Sequence, residues 1–254
     1  QVMSVLGDKI AANILAQTAK VPSIPWSGSF GNPGDDGPLQ ANLQADGTIP
    51  KETFEAGCVH SAAEALEAAE RVKYPVMLKA SEGGGGKGIR MCKDAAELEA
   101  AFPQVEQEQP GSPIFVMQLM TGARHLEVQV VGDEHGNAVA LNGRDCSTQR
   151  RFQKIFEEAP PTKPSGGIAS PEVFADMELK AKQLVQNIGY VGAGTVEYLY
   201  NAKNDDYFFL ELSPRLQVEH PCTEGVTGVN LPATQLQVAM GIPLPQMPEV
   251  RRLY

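Results

Sequence analysis

The sequence lacks the features of several common protein classes. It has four cysteines in 254 residues, and none of them is spaced for a metal site or a disulfide framework. No run approaches the roughly 18 apolar residues that a membrane-spanning helix needs, and no signal peptide is evident. These absences favour an intracellular protein with reduced thiols. The predicted location is cytoplasmic, or a plastid if a longer form carries a transit peptide.

Basic residues are also scarce. The chain has 21 Lys and Arg against 31 Asp and Glu, which gives a formal net charge of −10 at pH 7. Such a chain is not expected to bind nucleic acid or anionic membranes through general attraction, so any polyphosphate site must be made positive locally. The apolar fraction of 42% is enough for a packed core, in one large domain or two small ones.

A glycine run between two short strands is the first candidate site. An apolar stretch, 74–80, contains Lys79 near its end, and a second predicted strand follows at 89–92. Between them lie Gly83, Gly84, Gly85, Gly86 and Gly88. Consecutive glycines let backbone N–H groups wrap closely around an anion, although the spacing matches neither the Walker A motif nor the dinucleotide-binding fingerprint. A flexible linker is the alternative, but the flanking strands favour a phosphate-binding flap.

A predicted hairpin is the second candidate site. Two runs that alternate in polarity, 195–200 and 207–212, are separated by a turn sequence. If the hairpin folds about Asn204, Glu197 lies directly opposite Glu211. Facing acids repel each other unless a cation lies between them, and carboxylate oxygens hold Mg²⁺ against substrate phosphates. Two unrelated acids on a solvated face are the alternative if the hairpin is considered alone.

Periodicity predicts the remaining elements. Helices are expected at 7–20, 61–73, 94–105, 170–189 and 230–241, and strands at 75–80, 89–92, 114–120, 125–131 and 138–142. Residues 21–50 are expected to form an irregular loop, and 149–158 a polar extended segment. The order helix, two strands, helix, strand predicts a small α+β lid.

Together these motifs resemble the ATP-grasp enzymes, and within them the biotin carboxylase component of the biotin-dependent carboxylases. Four stretches fit that family in order: 79–82 with the glycine flap, 124–129, 144–151 and 214–221. Further details resemble the eukaryotic-type multidomain acetyl-CoA carboxylases: 25–28, the insert up to Pro50, 194–200 and 240–244. The resemblance covers almost the whole chain.

The resemblance implies an α+β fold, the ATP-grasp fold, with a small α+β lid and an antiparallel-sheet C-terminal subdomain, truncated at both ends. Residues 1–49 would be the end of the N-terminal biotin carboxylase subdomain and a linker. Residues 50–119 would form the lid, and residues 120–254 an incomplete C-terminal subdomain.

The same resemblance implies a nucleotide site. Lys79 would contact the α- and β-phosphates under the glycine flap, and Lys9 would lie at the phosphate end. The backbone of Met117, Gln118 and Leu119 would recognise adenine, and His125 and Gln149 would approach the ribose. For His125 alone, a structural histidine is the better interpretation.

A metal and bicarbonate site is implied as well. Glu197, Glu211 and Ser213 would hold Mg²⁺ or Mn²⁺, and the bicarbonate site would comprise Lys154, Arg215, Gln217, Val218 through its N–H, and Glu219. Glu219 suits a general base, and Arg215 suits a bidentate clamp on a planar anion. Lys154 would stabilise the transferred phosphoryl charge.

The implied reaction is ATP- and bicarbonate-dependent carboxylation of biotin, leading to malonyl-CoA for fatty acid synthesis. The implied partners are a biotinyl carrier domain and a carboxyltransferase domain outside this chain, in a parent that forms a homodimer. Another acyl-CoA or pyruvate carboxylase is an alternative. A catalytically impaired nucleotide-binding remnant is another, because the family has Asn at Ser213 and usually His at Phe152. The isolated chain is expected to be catalytically incomplete.

Overall fold

The computed structural model describes residues 8–29, 48–82, 87–150, 153–163 and 165–253. The predictions for the insert at 30–47, for Gly83, Gly84, Gly85 and Gly86, and for Phe152 lie outside these residues. The chain divides into two compact units, one within Met3–Thr121 and one within Gly122–Tyr254. None of the described helices is long and apolar enough to cross a membrane.

The first unit is a three-stranded antiparallel sheet with helices. Its elements are α1 Lys9–Thr18, α2 Lys51–Glu55, α3 Ala62–Val72, β1 Val76–Ala80, β2 Ile89–Cys92, α4 Ala95–Glu108 and β3 Ile114–Gln118, with the strand order β2-β1-β3. The side chains of Asp8, Ser61 and Asp94 each accept a hydrogen bond from the amide three residues later, so each caps a helix. The short helix α2 was not predicted.

Small apolar residues bring α3 and α4 of the first unit close to its sheet. Ala65, Ala69 and Val72 recur at helical spacing and are fully buried against Val76 and Leu78 of β1. Full burial of these residues on one helical stripe is what the sequence pattern predicted for this helix.

The second unit is a five-stranded antiparallel sheet with the order β6-β5-β4-β7-β8. Its elements are β4 Arg124–Gly132, β5 Ala138–Arg150, β6 Gln153–Glu158, α5 Pro171–Asn187, β7 Gly192–Asn201, β8 Asp206–Ser213, α6 His220–Thr227, α7 Leu231–Ala239, a 3₁₀ turn Leu244–Gln246 and α8 Pro248–Arg251. The prediction that the second hairpin strand stops at Asn142 is wrong. That strand continues for eight more residues, to Arg150. Asn142 takes a positive φ of 60° at an irregularity in the pairing, and pairing with β4 resumes at Gly143.

The two faces of this sheet differ in character. One face packs on α5, where the Tyr198 hydroxyl donates to the Met177 carbonyl oxygen at 3.1 Å. The other face carries polar side chains. Residues that lie opposite one another on neighbouring strands share a face of the sheet. Arg144, Glu127, Glu197 and Glu211 occupy successive positions of one such rung, running from β5 to β8.

A β-bulge in β8 determines which residue of that strand lies opposite Glu197. Pairing runs regularly outward from the turn as far as Tyr198 opposite Phe209, a register that would place Glu197 against Leu210. Leu210 instead has no partner, and Glu197 pairs with Glu211. The predicted pairing of the two acids is therefore confirmed, although the unpaired Leu210 is what produces it.

Candidate active site

Lys154 lies at the centre of a cluster of carboxylates on the polar face of the sheet in the second unit. Its Nζ is 2.6 Å from Glu127 Oε2, 3.2 Å from Glu219 Oε1 and 3.4 Å from Glu197 Oε1. Burial alone would lower the pKa of Lys154, but Glu197 and Glu127 outweigh it and raise the pKa above its usual value. The ammonium therefore stays charged, and its contacts fix the position of three acids.

Glu197 is the acid with the most partners in the cluster. Its Oε2 lies 2.7 Å from His125 Nε2, and Ser213 Oγ and Gln217 Nε2 donate to its Oε1 at 3.0 and 3.2 Å. Burial would raise its pKa, yet the hydrogen bond from His125 and the charge of Lys154 hold the pKa at about 2. The Glu197 carboxylate is thus anionic at any physiological pH.

His125 has a partner on each ring nitrogen. Gln149 Nε2 lies 2.8 Å from its Nδ1, while Nε2 faces Glu197. With the amide donating, Nδ1 accepts and Nε2–H donates to the carboxylate, as in a neutral imidazole. The structure brings these two predicted ribose-side residues together and joins them to the predicted metal carboxylate.

Arg144 lies behind this cluster and is completely buried. Its guanidinium donates from Nε to Glu127 Oε1, from Nη1 to Gln129 and Thr223, and from Nη2 to Thr195 and Gln217. In the sequence, Arg144 and Glu127 stand out only as parts of the family motifs 144–151 and 124–129. Their role is visible only once β4 and β5 are paired.

Glu157 is a second residue that sequence reasoning missed. Lys154 pairs with Gln149 and Phe156 with Thr148, so Ile155 between them is unpaired, and Lys154 and Glu157 come to share the inner face. Both carboxylate oxygens of Glu157 are buried and lack a hydrogen-bond partner among the described residues. Burial, reinforced by the charge of Glu127, raises the pKa of Glu157 to about 8.

Two predicted bicarbonate residues lie outside the cluster. Arg215 is exposed, and in the described part of the chain its guanidinium donates only to the carbonyl oxygen of Leu216, at 3.4 Å. The Val218 side chain is 90% exposed, and no described residue accepts a hydrogen bond from its N–H. Both groups are available to a ligand, but this geometry does not itself place them at the Lys154 cluster.

The first unit holds the predicted phosphate residues. Lys9 Nζ donates to the Ser81 carbonyl oxygen at 2.9 Å, which puts the start of α1 beside the end of β1. Lys79 Nζ lies 3.5 Å from Met117 Sδ. Gly88 has a φ of 68°, and a Cβ there would come within 2.8 Å of the Ala80 side chain, so glycine is required at this end of the run.

The predicted adenine-reading segment is firmly held by the rest of the first unit. The Gln118 and Leu119 amides donate to the carbonyl oxygens of Pro25 and Pro75, each at 2.8 Å. Met117 is buried and forms a bridge with Trp26. The amides of Gln118 and Leu119 are therefore already paired within this unit.

The sequence profile described as "Carbamoyl-phosphate synthase L chain, ATP binding domain" matches residues 41–247. The chain belongs to this family. Within the family it is 55% identical over 252 residues to the acetyl-CoA carboxylase of Dictyostelium discoideum. It is 53% identical over 252 residues to the mitochondrial acetyl-CoA carboxylase of Saccharomyces cerevisiae (strain YJM789). Each alignment covers 99% of this chain but only 10% and 11% of these curated relatives.

Solved structures of the family share the fold. The biotin carboxylase of Campylobacter jejuni is 34% identical with a TM-score of 0.80, and the match covers 98% of this chain and 49% of that one. The biotin carboxylase domain of the Hydrogenobacter thermophilus 2-oxoglutarate carboxylase is 32% identical with a TM-score of 0.73, covering 94% and 46%. The predicted resemblance and the α+β ATP-grasp fold are both confirmed by these matches.

Proposed function

We propose that this chain is the ATP-grasp part of a biotin carboxylase belonging to an acetyl-CoA carboxylase. The observation that carries the proposal is the Lys154 ammonium, held by Glu127 and Glu197 of the rung and by Glu219 from the loop before α6. A fixed cation beside a proton-accepting acid is what bicarbonate and a migrating phosphoryl group require. The solved relatives support the assignment, since one is a complex with an ATP analogue and another with MgADP and bicarbonate.

In the proposed reaction, bicarbonate binds where Lys154, Gln217, Arg215 and the Val218 N–H can reach it. Glu219 removes the bicarbonate proton as a bicarbonate oxygen bonds to the γ-phosphorus and the bond to the leaving ADP oxygen breaks. Lys154 stabilises the charge on the transferred group. The carboxyphosphate formed splits into CO₂ and phosphate. The ureido nitrogen of biotin, borne on a carrier domain outside this chain, bonds to the CO₂ carbon and gives its proton to the released phosphate.

The oxygen donors of the site fit Mg²⁺ or Mn²⁺. Glu197 is anionic and faces Glu211 across the hairpin, and Ser213 adds a hydroxyl that now donates to Glu197. Hard divalent cations prefer such oxygen ligands, and when bound they supply positive charge against the phosphates. Ser213 is shorter than the asparagine of the family, so we expect weaker metal binding at that position.

Nucleotide contacts are proposed for the residues predicted from the sequence. Lys79, Lys9 and the glycine run hold phosphates, the backbone of 117–119 meets adenine, and His125 and Gln149 approach the ribose. The subdomain boundaries at 49/50 and 119/120 are part of the same proposal.

For the parent protein we propose malonyl-CoA formation through carrier and carboxyltransferase domains, a homodimeric state and a cytoplasmic location. A specific observation also favours the impaired-remnant alternative, namely Ser213 at a metal-ligand position. The acyl acceptor is set by another domain, so a pyruvate or other acyl-CoA carboxylase remains the third candidate.

The test is bicarbonate-dependent ATP cleavage and fixation of ¹⁴C-bicarbonate on biotin by the full-length protein. Lys154→Met should reduce both rates by about a hundredfold or more, as expected when a charge that stabilises the transition state is lost. Lys203→Met, in the exposed turn between β7 and β8, is the matched control and should change neither.

ATP cleavage that needs no bicarbonate in the unmodified protein would contradict the proposal, and ATP binding without any cleavage would favour the nucleotide-binding remnant. Equal rates in Lys154→Met and the control would show that the cluster is structural. Replacing acetyl-CoA with pyruvate in the complete assay separates the carboxylase alternatives.

A further inference from the structure

The contacts of Arg144 point beyond the proposed site residues. Its side chain is completely buried, so it cannot touch a substrate. Even so, all three guanidinium nitrogens have acceptors on the polar face of the sheet, supplied by strands β4 and β7, the loop before α6, and α6 itself. A guanidinium is planar and carries only donors, so it fixes both the position and the polarity of each group that it meets.

Glu127 shows how the effect reaches Lys154. Arg144 Nε donates to one oxygen of Glu127, and the other oxygen accepts from Lys154 Nζ at 2.6 Å. The carboxylate is therefore a bridge between two cations, one buried and one at the site. Because the first cation locks the carboxylate plane, the oxygen that holds Lys154 has a single position.

Gln217 shows a second effect, on polarity. Its Oε1 accepts from Arg144 Nη2 at 3.2 Å, and its Nε2 donates to Glu197 at 3.2 Å. An amide has one acceptor end and one donor end, so occupying the acceptor end with an arginine turns the NH₂ group toward the site. One of the two amide hydrogens is donated to Glu197, and no described residue accepts the other, so it is available to an anion.

We propose that Arg144 is a positioning residue for anion binding, which orients the Lys154 ammonium through Glu127 and the Gln217 amide directly. This inference rests on the proposed function, because the anion concerned is bicarbonate. It predicts that a substitution of Arg144 displaces both the Lys154 ammonium and the Gln217 amide, although Arg144 itself contacts neither bicarbonate nor ATP.

Arg144→Lys is the first test. Lysine keeps the charge but has one nitrogen, which cannot span Glu127 and Gln217 in the way that the guanidinium does. In the full-length protein the KM for bicarbonate should rise about ten- to a hundredfold, the range for loss of an outer-shell partner, while the KM for Mg·ATP stays within about threefold. Equal shifts in both constants, or none, would overturn the proposal.

Thr223→Val keeps the test decisive if Arg144→Lys does not fold. The hydroxyl of Thr223 accepts from Arg144 Nη1 at 2.5 Å, and valine has nearly the same shape without that acceptor. The KM for bicarbonate should again rise more than that for Mg·ATP. Tyr198→Phe is the matched control, because it removes a buried hydrogen bond on the opposite face of the same sheet. It should lower stability and leave both constants unchanged, and an equal KM shift in the control would overturn the proposal.

Hydrogen exchange followed by mass spectrometry supplies a readout that does not need activity. In Arg144→Lys, or Thr223→Val, the peptide covering 214–221 should exchange faster, while a peptide from α5 should not. Unchanged exchange at 214–221, or equally faster exchange everywhere, would overturn the positioning role. If the unmodified protein showed no bicarbonate dependence, the proposed function would fail while this measurement still tested Arg144.

Discussion

The two units hold their polar groups in opposite ways. In the second unit, Arg144 and Glu127 are fully buried and Glu197 nearly so, and each lies among charged or amide partners. In the first unit the core between α3, α4 and the sheet is apolar, and the ammonium of Lys79 on β1 lies near Phe115 and Met117 of the neighbouring strand β3. One unit fixes its candidate site residues through a charge network, and the other holds its candidate residues on an apolar sheet.

The two units should respond differently to substitution. A buried charge network fails as a whole when one member is removed, because the remaining charges are left without partners. A single lysine on an apolar sheet can be removed with little effect on the fold. Substitutions in the charge network of the second unit should therefore mainly lower stability. Substitution of Lys79 in the first unit should mainly weaken binding.

The largest effect is expected for Glu127→Leu in the second unit. It leaves Arg144 buried without its carboxylate and removes the closest partner of Lys154, so the free energy of unfolding should fall by about 3–5 kcal/mol. Urea denaturation followed by circular dichroism measures the change. The control is Glu106→Gln on the exposed side of α4, where a change within about 0.5 kcal/mol is expected. A loss below about 1 kcal/mol in Glu127→Leu would contradict the network interpretation.

An intermediate effect is expected for Lys79→Ala in the first unit. ATP binding should weaken by roughly 1.5–3 kcal/mol through loss of a charge-assisted contact, with the free energy of unfolding almost unchanged. Isothermal calorimetry and thermal unfolding on the same samples separate the two quantities. Lys93→Ala, at an exposed position before α4, serves as the control. Unchanged ATP affinity in Lys79→Ala would remove this residue from the nucleotide site.

The smallest effect concerns pH and Glu157. Its pKa is raised to about 8 in the folded chain from a usual 4.5, so the folded state keeps a proton that the unfolded state releases. Stability should therefore fall as pH rises from about 4.5 to 8, and level off above that range. Relative to Glu157→Gln, the unmodified protein should lose on the order of 1–2 kcal/mol across this window, a value reduced to allow for partial exposure.

Urea titrations of both proteins at pH 5 and pH 8.5 measure this difference. The two proteins should differ in stability mainly at the higher pH. A gap that stays constant between the two pH values would show that Glu157 titrates normally and that its burial has no electrostatic cost.

Much of the fold followed from local signals. The caps at Asp8, Ser61 and Ser170 and the helical spacing of apolar residues place three helices to within about two residues. These signals depend on neighbours in the sequence, so they are visible without the structure. The helix α6 was missed because it is only eight residues long and contains Gly225, and because its contact with Arg144 through Thr223 joins residues far apart in the sequence.

The site was predictable only in part. The strand alternation that carries Glu197 and Glu211 is a local pattern, and their facing arrangement is confirmed. Glu157 was hidden because regular alternation would place it on the face opposite to Lys154, and the irregular pairing of β6 with β5 reverses that expectation. Sequence spacing cannot reveal this bulge, because the bulge arises from the way β6 pairs with β5.

The unpaired Leu210 has a consequence for insertions and deletions. Substituting Leu210 keeps the residue count, so Glu211 remains opposite Glu197. Deleting Leu210 would close the bulge and leave Glu211 opposite Glu197 in a regular register, whereas inserting a further residue between 206 and 210 would shift every later residue of β8 to the other face. Adding a residue to the turn at 202–205 lies outside the paired region and leaves the register intact. Insertions among relatives should therefore collect in the turn and be absent from the five residues that follow it.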